Sequence, residues 1–189
     1  MHRRTRLVTS ALAVGALVLG GSVTASTAAS GSTPKAQDVS FELTPSSAQI
    51  AACMPGVKVN VEVELTTDEK GFDVFEIEGR NLRPNTAFTV FLIQQAGAPF
   101  GAAEYIGDFT SNRGGQASNK FRLIVQEAFS STIVNGQRVR VDLNSVGVWF
   151  ADPADDEACV PGSAPTPFDG DNQAGVQAFN SDNHFLPLP

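Results

Sequence analysis

Histidine, cysteine, tryptophan and tyrosine are scarce in this chain: two, two, one and one among 189 residues. Each scarcity excludes something. His2 belongs to the basic N-terminus, so His184, near the other end, is the one imidazole left for a Ser-His-Asp triad or a zinc site. A Gly-x-Ser-x-Gly elbow and a glycine-rich phosphate loop are both missing. Trp149 and Tyr105 stand alone, which is poor material for an aromatic sugar platform. Positive charge is short too: 13 Lys and Arg against 20 Asp and Glu, a net charge of −7. Arg3, Arg4 and Arg6 precede residue 28, where there is no acid, so the rest carries −7 − 3 = −10. That balance argues against nucleic acid and anionic membranes as partners, since the remaining basic residues are scattered. Apart from Leu7–Gly21 there is no long apolar run, and that one is shorter than the roughly 18–20 residues of a spanning helix.

What is present begins with export. Met1–Arg6 is basic, Leu7–Gly21 apolar and uncharged, and Val23-Thr24-Ala25 and Ser26-Thr27-Ala28 both fit a small-x-small cleavage site. The expectation is a signal peptide over 1–28, a flexible lead-in over 29–38, one domain over 39–183 and a tail over 184–189. The protein is then secreted, with no membrane insertion after cleavage. Cys53 and Cys159 form an even pair in an oxidising compartment, which predicts a disulfide closing a long loop.

The pattern after the lead-in is that of strands. Val57 to Leu65 alternates strictly, apolar at odd and polar at even positions, so Glu62 and Glu64 belong on a solvated face. Phe72–Glu78 slips at Val74-Phe75, which suggests a bulge. Thr86–Gln94 is apolar on both faces and predicts a covered central strand. Further runs lie at 104–110, 120–125, 138–143, 144–150 and 174–179, separated by turns such as Asn112–Gly115 and Asn135-Gly136. Short helices fit Ser46–Ala52, Gln126–Ser131 and Pro153–Ala158. About eight or nine strands with regular turns predict an all-β antiparallel sandwich.

Phe75 to Leu92, with Gly79, Leu82 and Pro84-Asn85-Thr86, resembles the strand–turn–strand of bacterial secreted immunoglobulin-like domains, with one extra residue between Gly79 and Leu82. Gly107-Asp108-Phe109-Thr110 to Gly115-Gln116-Ala117-Ser118 looks like a hairpin of the same group. Val148–Asp155, Cys159 and Thr166–Gln177 resemble exported proteins of unknown function from high-GC Gram-positive bacteria. The resemblance implies an immunoglobulin-like β-sandwich and an extracellular setting, and no activity.

Chemistry concentrates in the acids of 152–171. Asp169, Asp171 and Asn172 flank Gly170, and Asp152, Asp155, Asp156 and Glu157 lie across the Cys159 loop. Oxygen ligands in this number suit Ca2+, yet the spacing fails the helix–loop–helix calcium pattern, because position twelve counted from Asp169 is Asn180. The plain alternative is a turn in which Asp169 and Asn172 bond their own backbone. A pair of these carboxylates could also serve a carbohydrate-active or other hydrolase. The expectation is a non-catalytic extracellular binding or envelope-associated module facing an unidentified extracellular protein or glycan, with the 153–175 segment as the ligand-facing surface. A hydrolase and a calcium-stabilised structural protein are the alternatives, and the oligomeric state is open.

Overall fold

The computed structural model of the protein describes residues 38–125, 128–166, 173–182 and 186. The expected signal peptide, all but the last residue of the lead-in, and His184 lie outside them. Ten strands appear: β1 (Asp38–Pro45), β2 (Lys58–Glu64), β3 (Asp73–Arg80), β4 (Ala87–Ile93), β5 (Ala103–Thr110), β6 (Ala117–Leu123), β7 (Phe129–Val134), β8 (Gln137–Asp142), β9 (Ser145–Phe150) and β10 (Gln177–Asn180). Three short helices, α1 (Ala48–Cys53), α2 (Thr67–Lys70) and α3 (Pro153–Asp156), sit in the connections.

Eight strands form one antiparallel sheet in the order β5-β4-β9-β10-β1-β2-β3-β6, and β7 and β8 form a hairpin of their own. β1 is shared between the two halves of the sheet: Asp38–Leu43 pair with β2, and Thr44 and Pro45 with β10. The two end strands approach each other. Asn119 Nδ2 on β6 donates to the Asp108 carbonyl on β5 at 2.7 Å. At Gly107, whose φ is +150°, a Cβ would run into the Phe121 ring, so only glycine lets the ends come this close. The sheet is therefore nearly closed and barrel-like. Val59, Val61, Val63, Phe75 and Ile77 of one half meet Phe88, Val90, Leu92, Val148, Phe150 and Phe179 of the other in one core.

The alternation of Val57–Leu65 becomes β2, with every odd residue buried and every even one exposed. The bulge expected at Val74-Phe75 is not there. β3 pairs in unbroken register with both β2 and β6. The slip has another cause: the inward set is Asp73, Phe75, Ile77 and Gly79, so a buried aspartate holds an apolar position. Register shifts occur instead at Val90/Phe91 and Gln177/Phe179. β4 is covered on both faces as expected, with Phe91 and Ile93 packed on Trp149 and Ala174 in a second small cluster.

The helix expected over Gln126–Ser131 is also corrected. Residues 126 and 127 lie outside the description, and Phe129 onward is strand. Asn135 (φ 52°) and Gly136 (φ 78°) both take left-handed dihedrals, the requirement of a type I′ turn, and that turn pairs β7 with β8. Hairpin pairing thus overrides local helix preference.

Candidate functional site: the projecting hairpin and the acidic loops

The acidic segment divides into what the structure describes and what it does not. Asp169, Asp171 and Asn172 lie outside the described residues. Asp155 and Asp156 are on α3, which starts at Pro153 after Asp152 accepts from the Ala154 N–H at 2.8 Å. Asp156 is buried and fully engaged. Its Oδ1 accepts from Ser163 Oγ at 2.8 Å and its Oδ2 from the Val176 N–H at 2.6 Å. Asp155 offers its carbonyl to Arg83. Cys53 and Cys159 form the expected disulfide. Together these contacts, with the Gly175 N–H donating to the Phe150 carbonyl at 2.8 Å, fasten the described parts of the segment to the sheet. Among the described residues, no group of three or more His, Cys, Asp or Glu gathers as metal ligands would.

The outer face of the β1-β2-β3-β6 half is acidic. Ser40, Glu62, Glu76 and Lys120 stand in one cross-strand row. Glu62 and Glu76 are therefore like charges directly opposite, an unfavourable pairing. Lys120 offsets it with an ion pair to Glu76 at 2.7 Å. The hydrogen bond and charge of Glu76 raise the Lys120 pKa above its ordinary 10.5. Ser40, Asn60, Glu62, Glu76 and Glu78 line a cleft of about 120 Å³. A larger groove of about 470 Å³ runs from Glu78 past Arg80 to Asn112 and Gln116. Both are polar and open to water.

The opposite chemistry is found on the β7–β8 hairpin. Its foot is bolted to the core: Ala128 and Leu143 are buried, and the Leu143 N–H donates to the Ala128 carbonyl at 3.0 Å. Asp73 adds a clamp that sequence reasoning missed. Its Oδ1 accepts from the Thr66 and Thr67 N–H groups at 2.8 and 2.9 Å, and its Oδ2 from the Val125 N–H at 2.8 Å. The signal was there, in an acid at the inward phase of β3.

Beyond the foot the arm exposes apolar surface. Phe129 is 52% exposed, Ile133 59%, Val134 48% and Val139 43%, with Ile124 at 50% beside the foot. Among the described residues, Tyr105 is the one large apolar side chain this exposed elsewhere. Register places Phe129, Ser131 and Ile133 on one face with Arg138, Arg140 and Asp142, and Val134, Val139 and Val141 on the other. Arg140 lies over the Phe129 ring at 4.3 Å and pairs with Asp142 at 2.8 Å.

Nothing matches this chain among protein-family models, curated proteins or solved structures. The functional reading therefore rests on the geometry. In the described part of the acidic segment, the carboxylates of Asp152, Asp156 and Glu157 accept from backbone N–H groups. Exposed apolar area on a fixed arm is what a contact surface requires.

Proposed function

We propose that the protein is a secreted, non-catalytic binding module, acting outside the cell or in its envelope, which makes contact through the β7–β8 hairpin. One observation carries this reading: Phe129, Ile133, Val134 and Val139 stand exposed on a hairpin whose foot is fixed to the core. A lone two-stranded hairpin is marginally stable in water, and its exposed Ile and Val gain only the small energy of cross-strand pairs within the chain. Their use lies outside the molecule. The Cys53–Cys159 disulfide supports an oxidising compartment. Among the described residues no helix is long and apolar enough to cross a membrane. The reading also takes the fold as an immunoglobulin-like sandwich whose two layers share β1, supported by the pairing of β1 with both β2 and β10.

The test compares wild type with an Ile133→Ser/Val139→Ser variant for binding to cell-wall and membrane fractions of a high-GC Gram-positive bacterium. Both substitutions are at exposed positions, so the melting temperature should hold. The expected result is at least a tenfold loss of binding. Equal binding by the two proteins would sink the reading.

A further inference from the structure

The outer edge of β7 is a second feature of the same arm, and its chemistry points to a specific occupant. In a two-residue hairpin the closing pair exchanges both hydrogen bonds, and bonded and non-bonded pairs then alternate. Val134↔Gln137 closes this turn, so Thr132↔Val139 and Ser130↔Val141 are the bonded pairs. The N–H and C=O groups of Phe129, Ser131 and Ile133 consequently point away from β8, and no described strand pairs with that edge.

Natural proteins guard such an edge with charge, proline, a bulge or a cover. β7 reads Phe-Ser-Ser-Thr-Ile-Val, with no charge, no proline and no glycine. Its neighbour β8 carries Arg138, Arg140 and Asp142. The undefended edge is also self-complementary. Laid antiparallel on a second β7 with Ser131 at the twofold axis, Phe129 faces the partner's Ile133, Ser130 faces the partner's Thr132, and Ser131 faces itself. These are aromatic–β-branched and hydroxyl–hydroxyl pairs, both favourable across strands. In that register the three outward-pointing residues of each copy fall opposite outward-pointing residues of the other, which gives about six backbone hydrogen bonds. The two hairpins become a four-stranded sheet, β8-β7-β7-β8, in place of two marginal two-stranded ones. The hairpin's charges, Arg138, Arg140 and Asp142, sit on β8, so the β7 edges that meet are themselves uncharged.

We infer that the protein forms a twofold homodimer by antiparallel pairing of β7 with β7 of a second copy, centred on Ser131. This rests on the reading of the hairpin as the contact surface and names its occupant.

The experiment is sedimentation equilibrium of the full domain, disulfide intact, from micromolar to millimolar concentration. Wild type should dimerise. Ser131→Pro removes an N–H that points away from β8, which an edge strand tolerates, so it should weaken the dimer at least tenfold while the monomer melts as before. Ser131→Lys sets two ammonium groups face to face and should do the same without touching the backbone. Ser131→Cys should crosslink two copies under oxidation, since bonded pairs place Cα atoms about 5.5 Å apart. Val139→Cys, three strand spacings across and so at least about 14 Å from its counterpart, should not. A wild type that stays monomeric at every concentration overturns the dimer, as does a Ser131→Lys protein that dimerises like wild type. A monomer whose Ile133→Ser/Val139→Ser variant loses binding to vesicles or wall fractions also overturns it, and leaves the hairpin as the contact surface. A dimer whose polar variant keeps full envelope binding has the reverse meaning: the dimer stands and the functional reading fails.

Discussion

Asp73 ties three backbone N–H groups from two different loops to one buried carboxylate. Removing it strands those donors, each at a cost of about 1–3 kcal/mol when buried. Asp73→Ala should therefore lower unfolding free energy in urea by at least about 3 kcal/mol. It should also loosen the hairpin foot at Val125, read as faster amide exchange there. Asp73→Asn keeps one acceptor and should cost less. A second residue-scale test concerns Lys120. Its raised pKa means that the folded state holds the proton more tightly than the unfolded chain does. That contribution is complete below the unfolded value of 10.5 and is lost as pH rises through the folded value. The stability difference between wild type and Lys120→Met should thus stay flat from neutral pH to about 10 and fall above it. Asp73 and Asp156 show what single residues conceal from sequence. Asp156 stands in sequence among the possible ligands, and in the structure its oxygens accept from the Ser163 hydroxyl and the Val176 N–H. Carboxylates look alike in sequence whether they meet a cation or a backbone N–H.

At the scale of elements, legibility followed the environment of each strand. β2 has a core on one side and water on the other, so its sequence alternates and its bounds were readable within a residue. β4 lies under cover on both sides and announces itself as an apolar run. β7 has water on both faces, so no periodicity distinguishes it, and its first residues fit a helix equally well. What defines it is the Asn135-Gly136 turn and its pairing with β8, which is information held by the partner strand. The disulfide was legible because an even pair of cysteines behind an expected export signal predicts one, while the way it ties α1 to the turn after α3 needed the fold. Its 106-residue separation gives a prediction. On the chain-entropy model a loop of that size contributes about 4–5 kcal/mol, mostly by restricting the unfolded chain. Cys53→Ala/Cys159→Ala should lower unfolding free energy by up to that amount in urea titration, while the sheet keeps its far-ultraviolet circular dichroism spectrum. A loss well under 1 kcal/mol would mean that the described parts of the 153–175 segment are held mainly by Asp156 and by the Gly175–Phe150 backbone bond.

For the whole molecule, the antiparallel all-β class was open to sequence, but the closure of the sheet was not. It depends on β1 changing partners at Thr44 and on Gly107 admitting the Phe121 ring, contacts between segments far apart in the chain. Charge is the other whole-molecule property, and it makes the proposed dimer testable without any mutation. Two copies each carrying −7, or −10 without residues 1–28, repel at long range, whereas the β7 edges that join them are uncharged. At about 10 mM ionic strength the Debye length is near 30 Å, comparable with the bodies themselves; at about 150 mM it is near 8 Å. Added salt therefore removes the repulsion between bodies and leaves the backbone pairing almost untouched. Dimerisation should strengthen severalfold over that range. A contact made instead by Arg138 and Arg140 on the acidic Glu62–Glu76 face of a second copy is an attraction between opposite charges, and the same salt would weaken it. The sign of the salt effect in sedimentation equilibrium thus separates edge pairing from charge docking, and a dimer that dissolves as salt rises rules out the β7–β7 arrangement.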